Sequence, residues 1–217
     1  MDDLVSNERA GAAEPVADES ALRALYPAVS DLAARKCIDH LDAHCRSFIA
    51  LSPFVCIGTS RADGGGDVSP KGDAPGFVEV LDAHTLLIPD RVGNNRLDSL
   101  SNITVNPDVG LLFLIPGVNE TLRVNGRGRI VRDSALMQSM AVNGKAPTTG
   151  LLVEVREAFL HCAKALVRSK LWAEDYKVER SVLPPLGKII RDQVEGASFS
   201  AEEAEERIQE SLRDRLY

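Results

Sequence analysis

Short apolar runs and alternating apolar and polar positions fill the middle of the chain, and this pattern predicts strands rather than long helices. Phe54 to Thr59, entered after Pro53, reads as a buried strand. Asp67 to Lys71 follows a Gly-rich turn, and Pro70 within it marks an edge or a bulge. Phe77 to Leu81 and His84 to Ile88 read as a hairpin with a two-residue connection. Val109 to Ile115, Glu120 to Val131 and Leu151 to Cys162 supply three more strands. Helical spacing appears mainly toward the two ends. Ser30 or Asp31 can cap a helix to about Ala50, whose Ile38, Leu41, Cys45, Phe48 and Ile49 form one stripe. Shorter helices are predicted from about Arg96 to Asn102 with Asn94 or Asn95 as cap, from Asp133 or Ser134 to Val142, and from Ala165 to Ala173. Ser200 and Glu203 have the spacing of a capping box ahead of a last helix carrying Ala204, Ile208, Leu212 and Leu216.

Six or seven strands in consecutive order, joined by turns and short helices, exclude a parallel sheet, whose crossovers need a dozen or more residues each. The pattern predicts a mainly β protein: a closed or nearly closed antiparallel barrel with peripheral helices. Three segments are expected: an acidic tail over 1–19, a barrel domain over 20–195, and an acidic helix over 196–217. A length of 217 residues suits one such domain.

The net charge of −7 is unevenly spread. Residues 1–20 and 192–217 each carry −5, while 21–191 carry +3. Acidic ends argue against nucleic acid as a partner, and the mildly basic body permits a small anionic ligand. The longest apolar run, Val109 to Val118, is too short for the 18 or so residues of a membrane helix, so no membrane partner is expected. The acidic start lacks an apolar leader core, and the 4 cysteines form no CxxC pair, so a reduced, cytoplasmic protein is expected.

Three stretches could carry chemistry. In Thr121 to Val131, alternation places Leu122, Val124 and Ile130 on one face and Arg123, Asn125, Arg127 and Arg129 on the other. That face reads either as a cationic wall toward an anionic ligand or a partner subunit, or as a solvated surface. The loop Asp90-Arg91-x-Gly-Asn94-Asn95-Arg96 stands ahead of a helix, where free amides and guanidinium groups suit phosphate, although a capped surface loop explains it too. Ser69 and Lys71 would add a hydroxyl and an ammonium if their strand lies beside it. In the third stretch, Lys164, Arg168 and Trp172 recur every four residues. They could flank a flat anionic ligand, or form a basic surface helix whose Trp covers the core. Cys37, His40, His44 and Cys45 have helical spacing without a carboxylate to complete a metal set, and they are read as helix residues rather than ligands. No nucleophile elbow or Ser/His/Asp order appears, and no catalytic residue is assigned.

Phe54 to Thr59, Val68-Ser-Pro-Lys71, His84 to Asp90, Asn106-Pro-Asp-Val-Gly-Leu-Leu-Phe113 and Leu122-Arg-Val-Asn-Gly-Arg127 together resemble the pyridoxamine 5′-phosphate oxidase-like, FMN-binding split-barrel proteins. The segment His161-Cys-Ala-Lys164-Ala-x-x-Arg168-Ser169 is similar to one carried by a bacterial subgroup of that family. The resemblance covers roughly 20–195. It implies a six-stranded split barrel and a homodimer with FMN at the subunit interface. It further implies that Ser69, Lys71 and the span from Asp90 to Ser99 hold the phosphate, and that Thr121 or Arg123 approaches the isoalloxazine ring.

Two departures stand beside the resemblance. Ser99 occupies a position where many members carry lysine, and the acidic tail Ala201 to Glu206 would repel the phosphorylated pyridine that true pyridoxamine phosphate oxidases hold with a Trp and an Arg-Leu segment. The expected function is therefore an FMN-binding oxidoreductase acting on an unidentified small molecule, with vitamin B6 disfavoured. A non-catalytic flavin-binding or sensing module is the alternative, and a deazaflavin or haem in the barrel is a further one.

Overall fold

In the computed structural model, which describes residues 13–217, the alternating segments pair into one antiparallel sheet of seven strands. They are β1 (Phe54–Ser60), β2 (Gly66–Gly72), β3 (Glu79–Val80), β4 (Thr85–Pro89), β5 (Asp108–Leu114), β6 (Thr121–Val131) and β7 (Gly150–His161). Their order across the sheet is β2-β1-β5-β6-β7-β4-β3. Peripheral helices complete the split-barrel fold. Of the six or seven strands read from the sequence, the Phe77 to Leu81 segment gives β3, only two residues long. Phe77 and Val78, expected as part of the same strand, are turned into the core instead. The connection to β4 is accordingly wider than a two-residue turn and closes with Leu81 N–H donating to the Thr85 carbonyl at 2.9 Å.

β2 is an edge strand, where Pro70 has no ladder partner to deprive on its outer side. β6 and β7 form the longest pairing, from Thr121 opposite His161 to Val131 opposite Gly150, with a register shift at Asn125/Gly126. Inward-facing Val55, Ile57, Leu86, Ile88, Leu111, Phe113, Leu122, Val124, Val153 and Val155 make one continuous core. A smaller cluster packs Leu87 against Met137 and Met140 on the outer face.

The chain divides at Lys36 into two units. In the first, α1 (Glu19–Ala24) is capped by Asp18 and α2 (Asp31–Arg35) by Ser30; residues 1–12 of the expected acidic tail lie outside the described residues. The single helix expected from Ser30 to Ala50 is broken. It resumes in the second unit as α3 (Ala43–Leu51), capped by Asp42, whose side chain accepts from Cys45 N–H at 2.8 Å. Ile38 sits in the break and exchanges backbone hydrogen bonds with Ala158 of β7, so sheet pairing outcompetes the helix there.

Five α-helices follow β4 and the later strands. They are α4 (Asp98–Val105), α5 (Ser134–Ser139), α6 (Lys164–Ser169) and the pair α7 (Leu186–Gln193) and α8 (Ala201–Asp214), which pack on each other. The Ser200–Glu203 capping box is formed. Among the described residues no helix is long and apolar enough to cross a membrane.

Candidate functional site

The strand period places Asp67, Ser69 and Lys71 on one face of β2, each half-buried, with Asp73 next on the same alternation. That face turns toward the loop between β4 and α4. Ser69, Lys71, Asp90, Arg91, Asn94, Asn95, Arg96 and Ser99, which come from two separate stretches of sequence, line a single cavity of about 180 Å³. Asp67, Leu97, Asp98 and Leu100 also form part of its wall.

The loop reaches this position through unusual backbone. Asn95 and Leu97 both have φ of 58°, the left-handed region that Asn tolerates and Leu rarely adopts. Leu97, not Asn94 or Asn95, is the N-cap of α4, and no side chain caps the helix. Asn94 Oδ1 instead accepts from Arg96 N–H at 3.1 Å, inside the loop. The first intrahelical bond runs from Ser101 N–H to the Leu97 carbonyl at 2.8 Å, so the amides of Asp98, Ser99 and Leu100 point from the helix head without intrahelical acceptors.

Each cation of the cavity is matched by a carboxylate. Lys71 Nζ lies 3.1 Å from Asp90 Oδ1 and Arg96 Nε lies 2.7 Å from Asp98 Oδ2. Arg91 Nε lies 2.6 Å from Asp73 Oδ2. The Lys71–Asp90 and Asp73–Arg91 pairs cross between the end of β2 and the chain after β4, tying the two flanks of the sheet together. They differ from Arg96–Asp98 in burial: Asp73 is 2% exposed and Arg91 17%, whereas Arg96 is 72% exposed. Burial pushes the Asp73 carboxyl up, but hydrogen bonds from Tyr217, the Ala74 amide and Arg91 outweigh it and hold the group below the usual carboxylate range. Pairing leaves further N–H groups on all three cations, since a guanidinium carries five donors and an ammonium three.

Behind the cavity, Asp67 Oδ2 accepts from Asn102 Nδ2 at 3.1 Å, from Ser99 Oγ at 3.3 Å and from Thr59 Oγ1 at 3.3 Å. Asn102 also donates to Thr59 Oγ1 at 3.0 Å. This network anchors the first turn of α4 to β1 and β2, and with it the helix head.

The other expected site residues lie elsewhere. Thr121 is buried at the start of β6, and Arg123 lies over the ring of its cross-strand neighbour Phe159, 5.4 Å from the centroid. Lys164 and Arg168 are exposed on α6, which ends at Lys170 in the left-handed region. Trp172 therefore stands beyond the helix rather than on a shared face with the two cations, and its Nε1–H donates to the Val118 carbonyl at 2.9 Å. Cys37 and His40 precede α3, so they do not share the helical face that the sequence spacing suggested. Cys45 is a core residue whose thiol is pushed up to about 11 by burial and by Asp42.

Asp67, Asp73, Asn102 and Tyr217 were not singled out from the sequence. For Asp67 and Asp73 a signal existed, because a two-residue period from Ser69 and Lys71 reaches both. Tyr217 has no such local signal.

Residues 41–162, more than half of the chain, match the sequence family described as Pyridoxamine 5′-phosphate oxidase. No curated protein sequence matches the chain. Among solved structures, HupZ of Group A Streptococcus is similar at 15% identity and a TM-score of 0.46, covering 55% of this chain and 92% of its own. An FMN-binding protein from Syntrophomonas wolfei is similar at 11% identity and a TM-score of 0.44, covering 54% and 83%. A Clostridium acetobutylicum protein related to general stress protein 26, of the pyridoxinephosphate oxidase family, is similar at 14% identity and a TM-score of 0.40, covering 54% and 85%.

Proposed function

Because the chain belongs to the pyridoxamine 5′-phosphate oxidase family, we propose that the cavity at the head of α4 holds the phosphate end of FMN and that the protein is an FMN-dependent oxidoreductase. The observation that carries this reading is the convergence of Ser69, Lys71, Arg91 and Arg96 with the helix-head amides of Asp98, Ser99 and Leu100 in one cavity. Hydroxyls, cations and helix-head amides are the donor set a phosphate dianion requires. The residues present fit the group: Lys71 and Arg91 are already oriented by their carboxylate partners, and each keeps donors to spare.

The cavity of about 180 Å³ is smaller than the roughly 300–1,000 Å³ of a site that encloses a whole drug-sized ligand. One chain thus grips the phosphate end, while the ring lies outside this cavity. Val167, Leu171, Val178, Val182 and Leu183 are apolar and exposed in the single chain, and we place the ring where the two chains of a homodimer meet. A bound flavin supplies hydride or electron transfer to a small-molecule substrate. The chain's own part is to bind the anionic end, orient the ligand by the fixed geometry of the α4 head, and cover it from water.

Mass spectrometry of the chromophore that co-purifies with the protein tests this directly. FMN is the expected result, with visible absorbance that bleaches under NAD(P)H and recovers in air. Flavin that binds and is never turned over would make the protein a carrier or sensor. Colourless protein that takes up no added FMN would overturn the assignment. Arg96→Ala should weaken FMN binding in a fluorescence-quenching titration, because it removes one charged donor from the cavity wall.

A further inference from the structure

Tyr217 follows α8, yet its hydroxyl donates to Asp73 Oδ1 at 2.7 Å, beside β2. The other oxygen of Asp73 accepts from Arg91 Nε at 2.6 Å, and Arg91 Nη1 donates to the Met140 carbonyl at 2.8 Å. The guanidinium is therefore held on two edges, one of them by a carboxylate that is itself held by a phenol. Arg91 forms part of the wall between the cavity described above and a second one of about 440 Å³, which Lys145, Thr148, Arg215 and Tyr217 also line. Lys145 Nζ donates to the Tyr217 carbonyl at 2.9 Å and fixes the same residue from the other side.

We propose that Tyr217 is a positioning residue for the first cavity: through Asp73 it fixes the Arg91 guanidinium in the wall the two cavities share, so that docking of the segment after α8 and anion binding in the first cavity favour each other. A carboxylate with both oxygens engaged has one orientation to offer its arginine. Losing the phenol leaves that oxygen to the Ala74 amide alone, which donates to it at 2.7 Å, loosens the carboxylate, and leaves Arg91 to be ordered when the ligand arrives, which weakens binding. Coupling of this kind is reciprocal, so a bound anion holds the segment after α8 in place. The inference rests on the reading of the first cavity as a phosphate site.

The test uses the full chain and two probes, FMN and inorganic phosphate. Tyr217→Phe should weaken both about fivefold, and in an Arg91→Lys background the same change should have almost no further effect. Lys145→Met, which releases the other anchor of Tyr217, should weaken both probes in the same direction without touching the first cavity. FMN should also slow proteolysis of the segment after α8 in the wild type and fail to do so in Arg91→Lys. Unchanged binding in Tyr217→Phe and Lys145→Met would overturn the proposal. So would a fivefold loss that persists in the Arg91→Lys background, which would mark a merely structural role. A wild type that binds phosphate but not FMN would sink the flavin assignment and leave the Tyr217 comparison readable with phosphate. One that binds neither would sink both.

Discussion

Arg91→Ala should destabilise the fold by about 3 kcal/mol, read as a fall in the denaturation midpoint with an unchanged slope. The reason is what the substitution leaves behind. Asp73, 2% exposed, loses the guanidinium 2.6 Å from its oxygen, and breaking a buried pair from one side costs about 3–5 kcal/mol because a charge stays buried without compensation. Tyr217 and the Ala74 amide still donate to it, which places the expectation at the lower end. The effect has a definite pH dependence. The native Asp73 carboxyl is held below its ordinary value, so its contribution to stability is present above about pH 4 and is lost as pH falls through the native value. The gap between wild type and Arg91→Ala should therefore be full at neutral pH and shrink in acid. A gap that is constant between pH 7 and pH 3 would show that packing, not charge, is what the arginine supplies.

Gly126→Ala should cost about 3 kcal/mol or more, and the variant is expected to be poorly soluble. Gly126 sits where the β6–β7 register shifts, and a Cβ there would run into the Glu154 carbonyl oxygen and come within 3.0 Å of Val153 Cγ1. The first of these is backbone in the sheet's longest ladder and cannot rotate away. Overpacking into flexible side chains costs typically 1–3 kcal/mol; here the pairing itself has to move. A midpoint within a degree or two of wild type would mean that the bulge is not the rigid feature the register shift implies.

The strands were legible because alternation is a local property. Arg123, Arg127 and Arg129 do face outward and Leu122 and Val124 inward, with Asn125 donating to Glu157 at 2.8 Å across the pair. The helix break after Arg35 was harder, because the apolar stripe continues through Ile38 while Asp42 starts a new helix and Ile38 pairs with β7. The pairing depends on β7, far along the chain, while the Asp42 cap is local. The cavity was half legible. Ser69, Lys71 and the loop from Asp90 were recognisable by residue type as candidates for an anion site, but that they face one another depends on strand order. The pairing of Lys71 with Asp90 and of Arg91 with Asp73 is a product of the tertiary fold, whereas that of Arg96 with Asp98 is local, and neighbouring sequence gives no sign that Tyr217 completes the Asp73 contact.

The strand order also sets when the cavity can exist during folding. β1 with β2, β5 with β6 and β6 with β7 pair between neighbours in sequence, whereas β4 finds β7 with Thr85 opposite Glu154, and β1 finds β5 with Phe54 opposite Leu114. Such distant closures are the slow events in a β-rich chain, since loop entropy is lost before contacts form. The carboxylates and cations after β4 meet those of β2 only once both closures are made. An anion captured by the finished cavity should accordingly slow unfolding and leave the rate of folding as it is.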